Sequence, residues 1–124
     1  MKAIVIPTSL NEKPFVIDLG YNELRSYYKH IGCDCIDFVT LYYDYASKRA
    51  IECVVDDEGL LNGSPINEYW KRACNEGHAN YPLAGKTVVT MTDRQSGDTF
   101  ELDVDFTKTV LHDLYAFKHC DLNF

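Results

Sequence analysis

The stretch CIDFVTLYYDYASKRAIECVV, residues 35–55, decides the fold class. Its first half, Cys35 to Tyr43, is dense in β-branched and aromatic side chains, which suit a pleated, half-buried surface. Asp44 to Ser47 gathers turn-forming residues, and Arg49 to Val55 returns as a second β-branched run. Two strands joined by so short a connection pair antiparallel. The same signature recurs on both sides. Lys2 to Ile6 reads as a strand closed by Pro7, and Phe15-Val16-Ile17 completes an N-terminal hairpin after the polar turn Thr8–Lys13. Gly85 to Thr92 and Thr99 to Phe106 form a third hairpin across Asp93–Asp98. In that last strand Phe100, Leu102, Val104 and Phe106 alternate with Thr99, Glu101, Asp103 and Asp105, the cleanest period of two in the chain.

Three segments change to helical spacing. Between Tyr21 and Ile31, Leu24, Tyr28 and Ile31 recur at i, i+4 and i+7, with Asn22 as a cap and Gly32 as the stop. Ser64 as N-cap and Pro65 at the first helical position open the second helix. Its apolar stripe is Ile66, Tyr69, Trp70 and Ala73, and Gly77 closes it. The third, capped by Thr107 or Asp105, carries Val110, Leu111, Leu114 and Phe117. The predicted order is ββα-ββ-α-ββ-α. This is an α+β fold, an antiparallel or mixed sheet of about six strands with three helices on one face.

A chain of 124 residues, 46% of them apolar, predicts one domain over 1–124 with a packed core, undivided by any linker or repeat. The apolar run after Met1 is too short for a signal-peptide core. No stretch approaches the roughly 18 apolar residues that span a bilayer, so a cytoplasmic protein is expected. Cys33, Cys35, Cys53, Cys74 and Cys120 are an odd number without a secretion signal, which points to reduced thiols. Nineteen acidic against twelve basic side chains give a formal charge of −7. So negative a body repels phosphate backbones, which argues against binding a nucleic-acid duplex. Two readings remain: a well-solvated surface, or attraction to a basic partner such as the nucleic-acid groove of another protein.

Three segments carry a family likeness. They are Lys2-Ala3-Ile4-Val5-Ile6 with Ile17-Asp18-Leu19 and the helix ending at Ile31-Gly32; Val55 to Asn67, where an acidic turn leads into Gly63-Ser64-Pro65-Ile66-Asn67; and Leu83-Ala84-Gly85-Lys86-Thr87-Val88-Val89. Together they resemble the domain-of-unknown-function family numbered 3846 over about residues 2–92, with the hairpin and helix from Asp93 onward as an individual extension. The resemblance implies a small soluble protein carried by phages, prophages or plasmids, with no common activity assigned. Accessory proteins in that genomic company often blunt host defences, which is an association and not a mechanism.

Several constellations bear on chemistry. His30, Cys33 and Cys35 form an H-x2-C-x-C cluster, and His119-Cys120 lies near the C-terminus. A tetrahedral zinc site needs a fourth ligand that no second knuckle supplies, so no metal is expected. Cysteine–histidine catalysis lacks any recognisable local context, and no phosphate-binding loop or nucleophile elbow is present. No catalytic residue and no cofactor is assigned, and no enzyme is expected. Asp56, Asp57 and Glu58 lack the further ligands of a calcium loop.

Two polar features remain. Gly63, Pro65 and Asn67 permit close backbone approach with an amide beside free N–H groups; with Arg94 nearby, such an end can hold a phosphate, although helix capping with a tight turn is the favoured explanation. Glu101, Asp103 and Asp105 fall about 6.8 Å apart on one strand face, a negative row that imitates a phosphate backbone or merely faces solvent. The leading expectation is a non-enzymatic phage or mobile-element accessory protein, a stoichiometric inhibitor of a bacterial defence system whose acidic surface engages a basic groove. The alternatives are a sponge for a signalling nucleotide and an unplaced Cys/His enzyme.

Overall fold

The computed structural model describes residues 1–20, 23–59, 61, 63–79 and 82–118. Strands β1 (Lys2–Ile6), β2 (Phe15–Asp18), β3 (Ile36–Asp44), β4 (Arg49–Asp56), β5 (Thr87–Asp93) and β6 (Thr99–Phe100) alternate with helices α1 (Glu23–Ile31), α2 (Glu68–Asn75), α3 (Val104–Val110) and α4 (Tyr115–Lys118). The strands make one six-stranded sheet in the order β2-β1-β5-β4-β3, with β6 also on β5 and every pairing antiparallel. The fold is α+β, and the three hairpins are the three local pairings. β5 runs through the middle and buries its side chains on both faces from Thr87 to Thr92, which its Val-Val-Thr-Met-Thr sequence suits.

The helices cover both faces, not one. α2, α3 and α4 pack on the side where Ile4, Ile6, Ile51, Cys53, Val89 and Met91 point, together with Tyr69, Trp70, Leu102, Leu111, Leu114 and Phe117. α1 packs on the other side against Ala3, Val5, Val54 and Val88. Its buried residue is Tyr27, while Leu24 of the expected stripe is half exposed. The helix stops at Gly32, whose positive φ turns the chain so that its N–H and that of Cys33 reach the Tyr28 carbonyl. The start expected at Tyr21 and its cap Asn22 lie outside the described residues.

The strand expected over Thr99–Phe106 ends at Phe100. Phe100 faces Met91, and Ile4 faces Val89, so the next partners along β5 lie where β1 already runs. The Leu102 N–H donates instead to the Lys2 carbonyl across the end of β1. Asp103 then turns the chain into α3: its carboxylate accepts from the Phe106 N–H at 3.1 Å, the cap expected of Thr107 or Asp105. Leu102 and Val104 still point inward, one from extended backbone and one from the first helical residue. The last predicted helix is two short ones, α3 and α4, with a turn at 111–114.

α2 is capped by Asn67, not Ser64. The Ile66–Ala84 bridge and the Gly85 N–H on the Pro65 carbonyl hold residues 64–66 extended, so the helix cannot start earlier. Asn67 is fully buried. Its Oδ1 accepts from the N–H groups of Tyr69 (3.0 Å) and Trp70 (3.3 Å). Its Nδ2 donates to the carbonyls of Ile6 (3.3 Å), Pro7 (3.0 Å) and Gly85 (2.9 Å). The reverse amide orientation would aim an oxygen at three carbonyls, so the network fixes it. One turn later Trp70 donates Nε1–H to the buried Thr87 hydroxyl at 2.8 Å.

Two stability predictions follow from these contacts. Asn67→Ala strands buried carbonyls and removes a cap, so denaturant unfolding should show a loss of about 3 kcal/mol or more. Asn67→Asp keeps the cap acceptor but sets a carboxylate against the carbonyls, and should be no more stable. Near wild-type stability for the Asp variant would mean that capping alone matters. Leu102→Ala, a large-to-small change in the larger core, should cost about 2–5 kcal/mol. A loss below about half a kcal/mol, the scale of a surface change, would place Leu102 outside the core.

Candidate functional site

The Gly63–Asn67 turn and Arg94 do not meet. Asn67 sits at the start of β5, where its amide is spent on the Gly85 carbonyl, and Arg94 follows the end of that strand. The length of β5 alone separates them by about 20 Å. Gly63 and Pro65 are exposed, and only Ser64 of this turn lines the neighbouring hollow of about 850 Å³. That hollow mixes Arg25 and Lys29 with Asp34, Asp56 and Glu58, so its charge gives an anion no clear advantage.

Arg94 belongs to a different cluster. It donates to the Thr40 hydroxyl and lies over the Tyr43 ring, 5.5 Å from its centroid. Thr40 in turn donates to Glu52 at 3.4 Å, and Thr92 donates to the other Glu52 oxygen at 2.6 Å. Glu52 is a buried carboxylate on the α1 face of β4, missed in reading the sequence. Its signal was there: between Ile51 and Cys53 a charged residue takes the alternate face of a strand that is buried on both sides. Two hydroxyls and, through Thr40, a guanidinium hold it in a low-dielectric setting, which rigidifies the exposed end of the sheet.

Glu101, Asp103 and Asp105 do gather, though not on a strand. All three are exposed and line one open hollow of about 400 Å³ with Lys2, Leu102 and Val104. Asp103 also borders a second hollow with Asp44 and Arg49, and its carboxylate is committed to capping α3. Among the described residues the side chains of Glu101 and Asp105 make no hydrogen bond or ion pair. Their spacing follows a helix start instead of a regular strand row.

Cys33 and Cys53 are poorly placed for thiolate chemistry. Burial first, then the negative charge of Asp56, pushes the Cys33 thiol up to about 11. Burial pushes Cys53 up to about 12, against a hydrogen bond to Thr87 that favours its ionised form. Burial, then the charges of Lys29 and Lys86, lowers His30 and favours its neutral form. Among the described residues no three His, Cys, Asp or Glu side chains converge as metal ligands. His119 and Cys120 lie outside them.

These positions set an order of reactivity. With alkylating reagent near neutral pH, exposed Cys35 should label far faster than Cys33, and Cys53 should label only on unfolding. Mass mapping of the labelled peptides over time reads this order. Fast labelling of Cys33 in the folded protein would reveal an activated thiolate and reverse this reading.

Comparison with known proteins places the chain. The family described as Domain of unknown function (DUF3846) matches residues 1–115. The match runs past residue 92 and spans the β5–β6 hairpin and α3. No curated protein and no solved structure matches the chain. Matched over nearly its whole length, the chain belongs to the DUF3846 family.

Proposed function

We propose that this protein acts by binding, not by catalysis, as a stoichiometric ligand whose acidic surface seats on a basic groove of a host defence component. The phage or mobile-element setting comes from genomic company alone. The observation that carries the reading is the surface around α3: Glu101, Asp103 and Asp105 open onto one hollow, and two of the three carboxylates have no partner among the described residues. With a net charge of −7, such a surface steers a basic partner towards it and repels nucleic acid. The raised Cys33 and Cys53 thiols speak against a cysteine nucleophile at either position. Nothing favours the nucleotide sponge, because the Asn67 amide it requires is consumed inside the fold.

The test uses the partner captured from a host lysate and the variant Glu101→Gln/Asp103→Asn/Asp105→Asn. Asn remains a good N-cap, so α3 should persist and stability should move by no more than about half a kcal/mol to one kcal/mol. Affinity of the wild type should fall steeply between low and physiological salt. The variant should bind about tenfold more weakly at low salt, with a shallower salt slope. Equal affinities and equal slopes would remove the acidic surface from the interaction.

A further inference from the structure

Away from the acidic hollow, the α1 face of the sheet carries an exposed apolar patch. α1 is too short to cover β3, and Phe38 and Leu24 remain 43% and 50% exposed. Tyr27 stands edge-on to Phe38, with centroids 6.1 Å apart and planes at 87°. Tyr27 is itself anchored beneath α1 by its hydroxyl on Thr90 at 3.3 Å. Together with Tyr28 these side chains line an open depression of about 590 Å³.

Its rim is acidic. Glu23 opens α1 on one side and Asp57 follows β4 on the other, and no Lys or Arg is among the described residues that line it. Neither rim carboxylate makes a side-chain hydrogen bond or ion pair among the described residues. The Glu23 field reaches the floor: besides burial, its charge contributes to raising the Tyr27 pKa, as does that of buried Glu52. Aromatic faces beneath free carboxylates suit a planar cation, which stacks on a ring and pairs with an oxygen at the same time. The chain seats its own guanidinium groups in this manner, Arg49 at 4.4 Å over Phe100 and Arg94 over Tyr43.

We propose that the depression between α1 and β3 is a docking point for an arginine side chain presented by a protein partner. It rests on the reading that the partner surface is basic, but it names a separate contact, on the opposite side of the sheet from the α2–α4 helices. A second copy of this chain is a poor occupant, since two bodies of charge −7 with acidic rims repel each other. A lysine offers the same charge without the planar stacking surface, so the depression favours arginine.

The experiment titrates the isotopically labelled chain with tetra-arginine amide and, separately, tetra-lysine amide, following backbone amide shifts. Tetra-arginine should move Leu24, Phe38 and Asp57, and tetra-lysine should do so about threefold to tenfold more weakly. Phe38→Leu keeps an apolar side chain without the ring, and Asp57→Asn removes a rim charge. Each should weaken the arginine titration at these amides by a similar factor. Should Phe38→Leu fail to fold, Asp57→Asn and Glu23→Gln carry the test alone. Glu101→Gln/Asp105→Asn should leave these shifts unchanged. The proposal is overturned if the shifts appear only around Glu101–Asp105, or if both peptides act equally and Phe38→Leu changes nothing. It is also overturned if no shift at the depression appears up to about millimolar peptide, or if the depression amides shift with protein concentration alone. Failure of the acidic hollow to bind the captured partner leaves these amide shifts in place, so the two readings fail separately.

Discussion

The buried amide of Asn67 is the constraint on which the rest of the molecule depends. One side chain joins the end of β1, through Ile6 and Pro7, to the approach to β5, through Gly85, and caps α2. Main-chain bonds reinforce the joint, from the Asn67 N–H to Leu83 and from the Glu68 N–H to Thr8. Pro7 and Gly85 lie just outside the strands, and buried carbonyls left unpaired are costly. An amide supplies donors and an acceptor in one rigid plane, which no carboxylate or hydroxyl of similar size does. With α2 pinned there, Tyr69, Trp70 and Ala73 fall onto the sheet, and the larger core assembles beneath them.

The two faces of the sheet are unequal as a consequence. Three helices close one face over aliphatic residues. Among the described residues, the other is covered by the nine residues of α1 over its apolar half. Beyond α1 the sheet turns polar, with Glu52, Thr90 and Thr92 satisfied by hydroxyl contacts, and Arg94 and Tyr43 close the outer end. Exposed aromatic surface collects where the covering is incomplete, since packing makes fewest demands there.

Asp103 shows how structure and surface charge interlock. Its carboxylate caps α3 and also contributes to the acidic hollow, so its role in folding limits what surface changes the site tolerates. Glu101 and Asp105 carry no such duty. The family match reaches residue 115 and therefore spans this element.

The sequence by itself determined the local units: the β1–β2 and β3–β4 hairpins, the turn at Asp93–Asp98, the end of α1 at Gly32 and of α2 before Gly77. Each rests on neighbouring residues alone, on alternation, β-branching and punctuating Gly or Pro. Only the tertiary structure decided four other matters. The alternation from Thr99 to Phe106 promised a long strand, but β1 holds the edge of β5 that such a strand needs, so the chain turns into α3. Ser64 and Pro65 have the chemistry of a helix start, but the bridge to Ala84 keeps them extended and passes the cap to Asn67. Helices on both faces followed from where α1 lands after the first hairpin, which its amphipathic stripe does not encode. Arg94, 27 residues beyond Asn67 and free in sequence to approach it, is carried away by the full length of β5. In each case residues distant in sequence competed for one edge, one carbonyl or one face, and local pattern holds no record of that competition.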